Sequence, residues 1–207
     1  VVNSGTGNVS FPSTVNGNVA ATRTLTVTAG TGTVNFGGVV GGLFSLLSLT
    51  VTGTGGITLT GDVTTSTTQS YTGLVTLAAS SVLTGTVPTF SAGVAGAGFD
   101  LTLNFSGLTT IDGLLFTGIN NLASGNGGTT QLTGNISTTG TQTYNDAVTL
   151  SGSTTLTTTD DAVSFAAAVD AAGAGVQSLT ITVGTGTVGF TGAVGAVNRL
   201  NVLTVNS

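Results

Sequence analysis

The stretch TQSYTGLVTL, Thr68 to Leu77, returns 73 residues later as TQTYNDAVTL, Thr141 to Leu150, and the two copies hold the only tyrosines, Tyr71 and Tyr144. The match extends outward: 59–77 aligns with 132–150 without a gap, with about half of the positions identical. A second alignment pairs 11–51 with 165–205 at an offset of 154, close to twice the first, and sets TAGTGTVNFGGVVG (28–41) over TVGTGTVGFTGAVG (182–195). The chain therefore reads as one continuous array, 1–207, of nearly three copies of a roughly 75-residue unit, at about 1–62, 63–135 and 136–207. The middle copy is the most diverged, between about 91 and 128. Fixed-period self-similarity is the mark of an array whose units bury their faces against their neighbours.

A shorter rhythm runs inside the long one. LTVT stands at 25–28, SLTVT at 48–52, VTL at 75–77, LTL at 101–103, VTL at 148–150, LTIT at 179–182 and LTV at 203–205. Within these runs apolar and hydroxyl residues alternate: Leu25 and Val27 against Thr26 and Thr28, Leu179 and Ile181 against Thr180 and Thr182. Period two places alternate side chains on opposite faces of a strand, and Val, Ile, Thr and Phe suit a pleated surface. Gly, Asn, Asp and Ser gather between the runs, where turns need them. The one segment with helix-like composition, 166–174 (AAAVDAAGA), has no amphipathic stripe and reads as a turn or tight corner. The fold class that follows is all-β: a parallel β-solenoid, or β-helix, with coils of roughly 25 residues. Eight such coils stacked at about 4.8 Å would stand on the order of 40 Å tall. The alternative is a tandem array of immunoglobulin-like β-sandwiches, repeating every 80 to 100 residues or so. Sandwiches lack the short internal rhythm.

Composition narrows the function. Charged residues are 4% of the chain and hydrophobic residues 39%, with Asp the only acid, Arg23 and Arg199 the only bases, and no Lys, Glu, His, Cys, Met or Trp. In a solenoid, equivalent positions of successive coils lie one strand apart, so a repeated charge would stack on itself; like charges directly opposite destabilise a sheet. A net charge of −5 with two arginines argues against a nucleic-acid partner. No apolar run is long enough for a membrane helix, so membrane insertion is not expected. The chain begins VVNSG, without Met or a secretory leader, and reads as a processed product or an excerpt.

The phrases TTGTQTYNDAVTL (138–150), SFAAAVDAAGAGVQSLTITVGTGTVGFTGAVG (164–195) and LTVTAGTGTVNFGGVVG (25–41) resemble the repeats of large bacterial surface proteins, the filamentous-haemagglutinin-like and autotransporter-adhesin proteins with β-strand repeats. The resemblance covers nearly the whole chain. It implies secretion, a β-helical shaft at the cell surface, and a role in adhesion, biofilm matrix or fibre formation, without catalytic residues. The chain departs from such proteins in carrying no recognisable secretion domain, translocating barrel or wall anchor.

The residues themselves give chemistry little to work with. Acid–base and nucleophilic catalysis draw on His, Cys, Lys or paired carboxylates. Asp160–Asp161, the one adjacent acid pair, sits in TTTDDAV and reads as a solvated turn. The acids change from copy to copy: Asp62 matches Asn135, and Asp146 matches Gly73. No enzyme, cofactor or metal site is expected. Phe11, Phe36, Phe90, Phe165 and Phe190 recur at matched positions and are expected to fill the interior with Leu25, Val27, Leu179 and Ile181. Tyr71 and Tyr144 are expected at coil corners, ring packed and hydroxyl wet. Arg23 and Arg199 read as surface residues pairing with a nearby Asp, or as contacts to another subunit. Both termini read as ordinary repeat sequence, so the ends are expected to meet more of the same array or a second copy. The functional expectation is a non-enzymatic structural segment of an extracellular fibre or adhesin stalk. The alternative is a module that binds cell-surface or matrix glycan, or ice, through a Thr-rich face.

Overall fold

The computed structural model describes all of Val1–Ser207. It is a β-solenoid of about 10 turns, with successive coils about 21 residues apart and no helix. Every strand pairing is parallel, so the rod stands about 45 Å tall at the usual strand spacing.

Each coil has three walls. The first carries the strands Val2–Asn3, Thr24–Gly30, Ser48–Gly53, Gln69–Thr72 and Pro88–Phe90. It continues upward as Leu108–Asp112, the first halves of Thr129–Ser137 and Ala147–Thr157, and Val169–Ala171. The second wall rises from Val9–Phe11 through Val34–Phe36, Ile57–Leu59, Val75–Leu77 and Val94–Ala95 to Phe116–Thr117. Above these lie the second halves of the two long strands, then Leu179–Thr182 and Leu203–Asn206. The third wall begins with the single bridges Val15–Val40 and Val40–Val63 and then runs unbroken from Val63–Thr64 to Val188–Phe190. The long strands turn a corner where the register slips between Leu132 and Gly134, with Gly134 at a φ of 74°. The segment 166–174, expected as a turn, contains the strand Val169–Ala171; its alternation Val169-Asp170-Ala171 buries the outer two residues and seats Val169 on Val148.

The coils are shorter than the sequence rhythm suggests. Val2 to Val27 and Leu156 to Ile181 are each 25 residues, but Val51 to Tyr71 is 20 and Ile57 to Val75 only 18. The long coils lie at the two ends, where the corner loops 16–23, 41–47, 172–178 and 195–202 add residues. The legible motif runs cluster there and bias the period upward.

Period-two alternation turns Leu, Val, Ile and Phe inward, and they merge into a single cluster of 36 buried residues reaching from Val9 to Val183. Of the expected interior residues, Phe36, Phe165, Val27, Leu179 and Ile181 are buried, while Phe11, Phe90, Phe190 and Leu25 are half-buried against the cluster. Rings stack along the axis: Phe11 on Phe36 at 5.1 Å, and Tyr144, Phe165 and Phe190 in one column at 5.2 and 4.9 Å. Such offset stacks add to the burial of each ring about 0.5–1.5 kcal/mol per pair. The hydroxyl side chains face out in register. Thr26, Thr50, Ser70 and Thr89 form one column of the first wall, with Thr28, Thr52 and Thr72 beside it.

The tyrosine repeat and the coil are different periods. Tyr71 lies on the first wall and Tyr144 on the third. Three coils above Tyr71 the first wall is occupied by Leu132, and Tyr144 follows two walls later. The 73-residue repeat thus advances the chain by three and two-thirds turns. The 154-residue repeat moves Phe11 of the second wall to Phe165 of the third. The copies are related by a translation along the axis combined with a rotation of one wall. A sequence that fits any of the three walls shows the walls to be near-equivalent surfaces.

Candidate functional site

The repeated tyrosines each close a buried polar lock. Alternation turns Gln69 and Tyr71 inward together, and both are fully buried. The Tyr71 hydroxyl donates to Gln69 Oε1 at 2.8 Å. Gln69 Nε2 donates to the carbonyl of Val63 at 3.1 Å and to that of Thr84, one coil up, at 2.8 Å. The second lock repeats this pattern: Tyr144 to Gln142 at 2.9 Å, and Gln142 Nε2 to Ile136 at 3.1 Å and to Thr157 at 3.0 Å. The hydroxyls expected to be wet are therefore dry. Gln two residues before each Tyr gives them an internal partner, which a buried polar group requires. These glutamines were the missed residues, although TQSY and TQTY carry the signal: period two sends Gln inward with Tyr.

Burial raises both phenol pKa values above the ordinary 10.0. The folded-state value lies above the unfolded one, so the neutral phenols contribute stability that is fully present below pH ~10 and lost as pH rises through the raised value. Tyrosinate absorbance at 295 nm should stay flat past pH ~10 and then appear together with loss of the β circular-dichroism signal. A rise near pH ~10 with the fold intact would contradict the buried hydroxyls.

Five of the seven acids serve as clips between coils. Asp62 Oδ1 accepts from the Val82 amide, Asp160 from Thr185, and Asp170 from Val197 and Asn198. Asp146, nearly buried, accepts from the amides of Asn126 and Gly127. Asp100 gathers the side-chain amides of Asn120 and Asn121 at 2.8 and 2.9 Å. Asp160 and Asp161 lie in a turn, with Asp160 at a φ of 60°. No three acids converge. Arg23 donates to Asn18 at 3.0 Å rather than to an acid, and Arg199 lies against Gly175.

The stack opens at one corner. The first-wall ladder stops at Pro88–Phe90; the next strand, Leu108–Asp112, pairs only with the coil above it. The second-wall ladder stops at Phe116–Thr117. Two clefts flank this corner, of about 260 and 330 Å³, and Phe116 lines both. Here the aromatic stack also turns: Tyr71 lies flat on Phe90 at 5.3 Å, but Phe90 meets Phe116 edge-on at 85°. The corner falls inside the most diverged part of the repeat.

Compared with protein-family models, with curated proteins and with solved structures, the chain matches none.

Proposed function

We propose that the chain is a non-enzymatic structural segment of a secreted bacterial surface fibre or adhesin stalk. The observation that carries this reading is the single apolar column enclosed by coils stacked in register, with five of the seven carboxylates joining one coil to the next. Such a body transmits load along its axis and spaces what lies at either end. The resemblance of 138–150 and 164–195 to adhesin repeats points the same way.

Self-association or continuation of the array at both ends belongs to this reading. The top strand, Leu203–Asn206, is exposed along its whole length, and Phe190 and Val194, uppermost on the third and first walls, are only half-buried. An unpaired edge of this kind templates further pairing. A head-to-tail contact is heterologous and yields an open filament. Sedimentation and negative-stain imaging over a concentration series test it. Threads of uniform width that lengthen with concentration are the expected result; rods near 45 Å at every concentration would overturn self-association.

A second reading rests on the paired hydroxyl columns. Thr155, Thr180 and Thr204, beside Thr157 and Thr182, repeat on the upper second wall the array that Thr26, Thr50, Thr28 and Thr52 make on the lower first wall. Such a regular surface suits ice or an ordered glycan. Thermal hysteresis and retention on insoluble polysaccharide test it; blanks in both would remove it.

A further inference from the structure

We propose that the corner at 112–117 is a binding subsite for a neutral saccharide. The inference is independent of the fibre reading.

Two of the three walls lose their ladder at this corner while the third runs through it from Ser81–Gly85 to Leu101–Phe105 to Leu122–Ser124. The coils therefore stay stacked, and the gap is local. Elsewhere each wall is joined from coil to coil by paired strands or single bridges. Here Phe90, half-buried, and Leu115, 37% exposed, reach the surface beside Phe116. Opening an apolar core to solvent is unfavourable unless something covers it.

The chemistry of the opening selects the ligand. Half-buried Phe90 and partly exposed Leu115 supply its accessible apolar surface, with Phe116 nearly buried beside them, and Thr89, Thr110 and Asp112 line it with polar groups on one side of the corner. On the other side the rim is Thr117, Asn135, Ser137 and Thr139. A pyranose has this same division, with C–H faces that lie on aromatic rings and hydroxyls around its edge. Asp112 Oδ1 is held by the Leu114 amide at 2.9 Å, which fixes the carboxylate. Its Oδ2 makes no hydrogen bond within the chain and is free to accept from a sugar hydroxyl. Other ligand classes fit less well. No Lys or Arg lines either cleft, and Asp112 repels anions. A single carboxylate does not hold a calcium ion, which takes six to eight oxygens or so. A wholly apolar ligand would strand the hydroxyl rim. At about 260 and 330 Å³ the clefts lie just below and just inside the roughly 300–1,000 Å³ span of ligand pockets, so each takes no more than about one sugar ring.

The test is a ¹⁵N–¹H correlation titration with cellobiose and with N,N′-diacetylchitobiose. The expected result is saturable shifts confined to 88–90, 110–118 and 135–139, with an affinity on the order of 1 mM for at least one of the two. Thr110 is exposed, so Thr110→Trp fills the first cleft without entering the core and should weaken binding about tenfold or more. Thr50→Trp, exposed on the same wall three coils below, should leave it unchanged. Asp112→Asn should weaken it by a smaller factor. No shift with either disaccharide up to ~20 mM would overturn the proposal. So would shifts concentrated on the Thr26, Thr50 and Thr180 columns, or equal loss in both Trp variants. None of these outcomes bears on filament formation.

Discussion

Gln142→Leu is expected to lower stability by about 3 kcal/mol, read from the urea midpoint, although Leu nearly matches Gln in volume. The substitution removes four hydrogen bonds at once, that from Nε2 to the Thr138 hydroxyl among them. It strands the Tyr144 hydroxyl and withdraws a donor from the carbonyls of Ile136 and Thr157. All of this happens where no water reaches, since Gln142 and Tyr144 are fully buried. An unsatisfied buried polar group costs about 1–3 kcal/mol. The Thr157 carbonyl keeps the Thr138 amide, which holds the total at the lower end of the sum. The decisive measurement is the double variant. In the native chain Tyr144→Phe should destabilise by about 1–2 kcal/mol, because it strands Gln142 Oε1. In the Gln142→Leu background the same change should stabilise, because it removes a hydroxyl that has lost its acceptor. If Tyr144→Phe has the same effect in both backgrounds, the pair is not coupled and the lock is not what holds this part of the core.

Gly73→Asp should be as damaging, about 3–5 kcal/mol, even though the repeat itself places Asp at the matching position, 146. Gly73 has a φ of 133°, a region closed to side-chain-bearing residues, and a Cβ there would lie 2.2 Å from the carbonyl oxygen of Gly53 in the coil below. That oxygen belongs to backbone fixed by the stack and cannot withdraw. At Asp146 the coil below presents Asn126 and Gly127, whose amides the carboxylate accepts. The two sites share a sequence position but sit on different walls over different neighbours. Substitution toward the repeat consensus is thus expected to fail here. A thermal scan showing no loss for Gly73→Asp would mean that this corner relaxes more freely than its close contacts allow.

The fold class was legible because period-two alternation and Gly-rich punctuation are local properties. Leu179-Thr180-Ile181-Thr182 declares a half-buried strand on its own. The coil length was less legible. It depends on how many residues each corner consumes, and the runs that announce themselves, 25–28, 179–182 and 203–205, flank the longest corners. Three motif runs per long unit suggest three coils, whereas the walls show three and two-thirds. The hydroxyls of Tyr71 and Tyr144 were misplaced for a different reason. A tyrosine is amphipathic, and only the partner at Gln69 or Gln142 decides whether its polar end can be dry. The opening at 112–117 had a trace in the sequence, the divergence of 91–128. Divergence alone does not distinguish a broken ladder from an intact one, because both depend on the coil above and below.

Near-equivalence of the walls has a consequence for how such a rod can change length. If only whole turns could be added, every viable insertion would have to match the circumference at that height. Here the increment is a side of the prism. A tandem duplication of the 73-residue segment lengthens the shaft by three and two-thirds turns and leaves everything above it facing a third of a revolution away. Two such events swing the upper part round again, so genetic slippage would set at once how far the tip projects and which way it points.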